Sequence, residues 1–259
     1  MIVDCHTHIG STGDNVEVAE HLDAAETVDV SIVLAGCDDD KDVNRNLADY
    51  ISSHSEKMIG FALLDPLKEK LNEKSLVAIT SKLALKGLVL YCSTCGFHPA
   101  HSRAMRFYAL AEQLNLPIFF HPSRPLDQTA VLGYDQPVLL DEIAGEFQDL
   151  KIIIGNMGRP FIEQTLAMIA KHKNVYADLT IKPNRPWQIY NIVVAAFENN
   201  VMDKLLFGSG FPSQNPGECI ETLLGFNKIL GETNFPTVPR SNIRNVIEQN
   251  SLELLGIEK

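Results

Sequence analysis

Ile2-Val3-Asp4-Cys5-His6-Thr7-His8 runs from a short apolar stretch straight into two histidines one residue apart. Side chains alternate faces along a strand, so His6 and His8 point the same way. Two imidazoles side by side at a strand end form the start of a metal site, with neutral nitrogens turned to one ion. The same spacing also suits two polar residues on the exposed face of an edge strand. What the rest of the chain aligns behind this pair decides between the two readings.

The following residues repeat one pattern. Apolar strand-like runs fall at 31–36, 58–64, 87–91, 117–121, 151–155, 174–178 and 204–208. Helical periodicity fills 16–28, 43–54, 74–85, 103–115, 138–147, 161–172, 186–198 and 218–230, and a last helix is expected over 242–255. Loops are expected at 10–13 and 92–101. Strand and helix alternate about eight times with short connections, which predicts a (β/α)8 TIM barrel. An open doubly wound sheet is the competing arrangement, but no Gly-rich phosphate loop follows the first strand. No linker, charge run or low-complexity segment divides the chain, so one domain over residues 1–259 is expected.

The 259 residues suffice for such a barrel, and 45% hydrophobic with 21% charged residues is ordinary for a globular protein. Lys and Arg number 22 against 33 Asp and Glu, a net charge of −11. That balance speaks against a nucleic-acid or anionic-membrane surface, yet a pocket can be locally basic and take a small anion. Cys5, Cys37, Cys92, Cys95 and Cys219 are odd in number and scattered, unlike a disulfide framework. Cys92-Ser-Thr-Cys95 has redox spacing but stands alone and reads as a pair of incidental thiols. No basic-plus-apolar leader and no membrane-length apolar run are found, so a cytoplasmic protein is expected, with room for a homo-oligomer.

In a barrel, reactive residues come from the C-terminal ends of different strands. His6 and His8 end the first strand and His121 the fifth. Taken together they predict a mononuclear site for one divalent ion, Zn2+ first. Three histidines leave a tetrahedral ion an open position for water, whose pKa such an ion lowers to about 7.

With these strand ends in place, the chain resembles the amidohydrolase superfamily, in its amidohydrolase 2 branch of small metal-dependent hydrolases and decarboxylases. The resemblance rests on residues 4–8, Lys86-Gly87, residues 116–121 and Ile154-Gly-Asn-Met-Gly-Arg-Pro-Phe161. It continues through residues 174–180, Leu206-Phe-Gly-Ser-Gly-Phe-Pro212 and the closing segment 250–256. The family pattern implies metal ligands at His6, His8 and His121. It also implies a histidine where this chain has Asn156, and an aspartate where it has Gly210. That aspartate orients and deprotonates the attacking water, and glycine does neither.

The resemblance implies a hydrolase of a small, acidic organic substrate, a lactone or amide. Two alternatives stay open: a non-oxidative decarboxylase, and a catalytically degenerate member that acts as a ligand-binding protein. Asp178, ending the seventh strand, can substitute as catalytic base or accept loop N–H groups. Arg124 and Arg159 are candidates to clamp a substrate carboxylate. Asn156 can orient substrate, and Tyr91 can wall the pocket. Asp65 reads as a turn residue, and His98 and His101 as exposed loop residues. Trp187 reads as a lid anchor or as packing.

Overall fold

The apolar runs become eight parallel strands in a computed structural model that describes residues 1–10, 16–37, 42–68, 73–123, 128–231 and 233–258. They are β1 (Val3–His8), β2 (Val30–Leu34), β3 (Met58–Leu63), β4 (Gly87–Leu90), β5 (Ile118–Phe120), β6 (Ile152–Ile154), β7 (Val175–Asp178) and β8 (Leu205–Leu206). Each strand pairs in parallel with the next in chain order. β8 is shorter than its 204–208 pattern because the chain beyond it turns to β1. Cys5 N donates to Phe207 O (2.8 Å), Gly210 N to His6 O (2.8 Å) and His8 N to Phe211 O (2.8 Å), which brings the sheet round on itself. The arrangement is the expected (β/α)8 barrel. Its strands are buried almost throughout, since side chains fill the inside and helices cover the outside.

The helices are α1 (Val18–Ala24), α2 (Val43–Ser52), α3 (Glu73–Lys82), α4 (Ser102–Gln113), α5 (Asp141–Glu146), α6 (Ile162–Lys171), α7 (Pro186–Glu198), α8 (Pro216–Leu224), α9 (Arg240–Glu248) and α10 (Ser251–Leu255). Several differ from the periodic segments in the sequence. The 138–147 segment divides into a 3-10 turn at Pro137–Leu140 followed by α5. The 242–255 segment breaks because the Asn250 side chain caps α10, accepting from Glu253 N (3.4 Å). No helix among the described residues is long and apolar enough to cross a membrane.

Two local features aim the barrel mouth. β1 shifts register against β2 between Asp4 and Thr7, the span that holds His6. After β6 the chain enters a 3-10 turn in which Asn156 (φ 51°) and Met157 (φ 54°) are left-handed. Asparagine tolerates that conformation far better than most residues.

Candidate metal centre

His6, His8 and His121 meet at the C-terminal mouth, and their donor nitrogens all lie within 4.8 Å of one another. His6 Nε2 stands 3.0 Å from His8 Nε2 and 3.1 Å from His121 Nε2. The three rings face one another edge-on, with centroids 5.0–5.3 Å apart.

Second partners fix which nitrogens face inward. His121 Nδ1 lies 2.7 Å from Pro122 O, which can only accept, so Nδ1 carries the proton and Nε2 presents its lone pair. His6 Nδ1 donates to Asp178 Oδ2 (2.6 Å), which leaves the His6 Nε2 lone pair facing the same point. Two lone pairs about 3 Å apart repel unless a cation or a proton lies between them. A tetrahedral ion at ordinary zinc–nitrogen distances holds its nitrogens about 3.3 Å apart, close to the spacing found. The donor set therefore fits one divalent ion.

Asp178 is buried completely. Besides His6 it accepts from Asn156 N (2.9 Å) and Thr180 N (2.9 Å), and from the Thr180 hydroxyl at short range. Burial pushes its carboxyl up, but attraction to His6 and hydrogen bonds from His6, Thr180 and Asn156 outweigh this and hold it below the usual range. The backbone N–H groups predicted for Asp178 are present, and the bond to His6 is added. Thr180 takes φ 31°, costly for a β-branched residue. Two contacts hold it there: Asp178 on its N–H, and Arg159 Nη2 on its carbonyl (3.2 Å).

The histidines open into a cavity of about 670 Å³, within the range of small-molecule sites. Tyr91 and Asn156 line it. Tyr91 packs against the His121 ring, centroids 4.7 Å apart and planes tilted by 32°, and donates its hydroxyl to Ala35 O (2.9 Å). Arg159 donates from Nη2 to the carbonyls of Leu179 (3.4 Å) and Thr180 (3.2 Å) in the turn after β7. Arg124 lies outside the described residues, as does most of the 10–13 loop. Asp65 takes Leu67 N (2.9 Å), as a turn residue does. His101 caps α4, and Trp187 is half-exposed on Tyr190 and Phe235.

Residues missed in the sequence complete the mouth. Lys182 and Arg185 line the cavity on the loop after β7. Burial and the nearby Arg159 and Arg185 charges lower the Lys182 ammonium pKa, marking local positive charge in a chain of net −11. Their only signal was two cations in a loop following a barrel strand. Asp4, fully buried, accepts from Ser209 Oγ (2.6 Å), Ser209 N (3.0 Å) and His6 N (3.2 Å), pinning the 208–211 turn to β1.

Gly210 lies at the same mouth as His6, His121 and Asn156. It is left-handed (φ 73°), and an added Cβ would come 3.2 Å from Thr180 Cγ2. A Cβ on Gly208 would meet Asp178 Oδ1 at 2.0 Å, so only glycine lets Asp178 stand behind His6.

A parallel barrel with a histidine triad at its C-terminal mouth defines a TIM-barrel protein whose strand ends could hold a metal ion. The amidohydrolase family pattern matches residues 3–257, and the chain belongs to that family. No curated protein matches it in sequence. Among solved structures it resembles a probable 2-pyrone-4,6-dicarboxylic acid hydrolase from Acinetobacter baumannii (TM-score 0.72, 16% identity, 99% of each chain covered). It also resembles 5-carboxyvanillate decarboxylase from Sphingomonas paucimobilis (TM-score 0.71, 13% identity, 99% of each chain). A third is a dihydroxybenzoic acid decarboxylase from Polaromonas sp. JS666 with bound manganese (TM-score 0.65, 14% identity, 98% of this chain and 96% of that one).

Proposed function

We propose that this protein is a metal-dependent hydrolase of a small organic acid, a lactone or amide, with one Zn2+ held by His6, His8 and His121. The observation that carries this is the convergence of three ring nitrogens, two with fixed tautomers, on the floor of a cavity rimmed by Lys182 and Arg185. A bound divalent ion supplies Lewis acidity toward a carbonyl or carboxyl oxygen.

The chain's own residues divide the remaining work. Lys182 and Arg185 attract and orient a substrate carboxylate. The Asn156 amide, on the cavity wall, orients the group under attack. The Tyr91 ring supports one side of His121, whose orientation the Pro122 carbonyl sets. Asp178 acts as a positioning residue that keeps the His6 proton on Nδ1, because its oxygens are fully engaged behind the histidine. Arg159 braces the Thr180 turn, a different task from the substrate clamp expected of it. A cytoplasmic location belongs to the same reading, because five scattered cysteines are unlike a secreted disulfide framework.

Gly210 favours a second reading. It offers no acid–base group at the position where the family pattern has aspartate, which suits a ligand-binding protein that catalyses little. A decarboxylase of an aromatic acid shares the same ion and cationic rim. Elemental analysis of zinc-treated protein, then a lactone and aromatic-acid panel read by acid release and CO2 release, separates these. We expect about one ion per chain and turnover of an anionic lactone, with Lys182→Gln and Arg185→Gln raising KM about tenfold each. Less than a tenth of an ion per chain after zinc addition would overturn the metal site. Full loading with tight ligand binding and no turnover would establish the binding protein.

A further inference from the structure

The wall of the cavity holds a second reactive pair that the site chemistry does not use. Cys37, in the loop after β2, and Cys95, in the turn after β4, meet sulfur to sulfur at 3.3 Å across 58 residues of chain. Both are part-buried, and Cys37 borders the cavity. The two segments are already tied together. Tyr91 donates its hydroxyl to Ala35 O (2.9 Å), and Cys95 N donates to Tyr91 O (2.8 Å). Cys92, the neighbour of Cys95 in the Cys-Ser-Thr-Cys spacing, is buried instead. The fold thus assigns Cys95 to Cys37, a partnership that the spacing conceals.

We propose that Cys37 and Cys95 form a reversible oxidation site at the mouth, joined into a disulfide by hydrogen peroxide. A disulfide holds its sulfurs about 2.05 Å apart, so they approach by about 1.3 Å, within reach of side-chain rotation. Cys37, which borders the cavity, attacks the peroxide first. Its sulfur bonds to one oxygen as the O–O bond breaks, giving a sulfenic acid and one water. The Cys95 sulfur then displaces the sulfenic oxygen, which leaves as a second water with the thiol proton. Two thiols lose two electrons and the peroxide gains them. Cys95 suits the second step because its sulfur stands 3.3 Å behind Cys37, the thiol that borders the cavity.

The test is hydrogen peroxide added to the full-length, zinc-loaded protein, followed by thiol alkylation under denaturing conditions and peptide mapping. The expected product is one cross-linked peptide pair carrying Cys37 and Cys95, two hydrogens lighter, cleared by dithiothreitol and absent from Cys37→Ser and Cys95→Ser. Because the bond closes a long loop at sites already in contact, the oxidised wild type should melt about 5–10 °C higher than the reduced form. Peptide mapping of the wild type alone also decides the matter if a variant fails to fold. Sulfinic acid at either cysteine without a cross-link, a Cys92–Cys95 bond, or a cross-linked form that melts lower would overturn the proposal. Equally, protection of both thiols by excess zinc would make the pair a metal site.

Discussion

Replacing Asp178 with asparagine tests how the metal centre is built, because the side chain keeps its size and loses only charge and one acceptor. In the wild type, Oδ2 accepts from His6 Nδ1, Asn156 N and the Thr180 hydroxyl, while Oδ1 accepts from Thr180 N. An asparagine does least harm with its NH2 at the Oδ1 position. There it opposes Thr180 N–H and leaves one buried donor unmatched, at a cost of about 1–3 kcal/mol. For a chain of this size that is about 3–10 °C in Tm. The lost charge makes the His6 imidazole a weaker donor, and losing such a partner behind a ligand lowers metal affinity about 10–100-fold. That corresponds to about 1.4–2.7 kcal/mol of binding free energy. Competition with a chromophoric zinc chelator measures the affinity, and a thermal melt of metal-free protein measures the stability separately. Zinc affinity within twofold of wild type would refute the reasoning. Unchanged affinity with hydrolysis alone abolished would instead make Asp178 the catalytic base.

Three further outcomes are expected. Gly208→Ala should weaken zinc binding at least as much as Asp178→Asn, because its Cβ would fall 2.0 Å from Asp178 Oδ1 and 2.9 Å from His6 Cβ; the same chelator titration reads it. Burial raises the Asp4 carboxyl from 3.8 to about 6 despite the Ser209 and His6 hydrogen bonds. The folded state therefore keeps a proton that the unfolded chain releases near pH 4, so Asp4 costs stability as pH rises from about 4 to 6, by up to about 3 kcal/mol above that window. Chemical denaturation of Asp4→Asn should lack this fall, and equal pH slopes in both proteins would argue against it. The pair Asn156→His with Gly210→Asp should tighten metal binding and raise lactone hydrolysis about 10²–10⁴-fold if an acid–base group is what the site lacks. Because Gly210 has positive φ, the aspartate should cost about 1–2 kcal/mol of stability, measurable by denaturant titration. If wild-type protein turns over a lactone and Gly210→Asp stops it, the glycine is fitted to the substrate.

The barrel was legible in the sequence because its signal is local and repeated. Buried parallel strands read as continuous apolar runs, and covering helices read as amphipathic stretches, so their alternation implies the architecture. His6 and His8 were legible for the same reason, since strand periodicity alone puts them on one face. His121 was reached through the barrel rule that strand ends share one mouth. Element ends were less legible: the segments 138–147 and 242–255 look periodic, yet 3-10 geometry and the Asn250 cap divide them.

Only the tertiary structure decided the rest, because those contacts join residues with no sequence relation. Asp178 meets His6 across 172 residues, Asp4 meets Ser209 across 205, and Cys37 meets Cys95 across 58. The positive φ at Asn156, Thr180 and Gly210 also escaped sequence reading, since long-range hydrogen bonds and closure of the sheet set those angles. The sequence determined which strand ends carry histidines. The fold decided which nitrogens His6 and His121 present, because each of those protons is set by an acceptor on the far side of the ring.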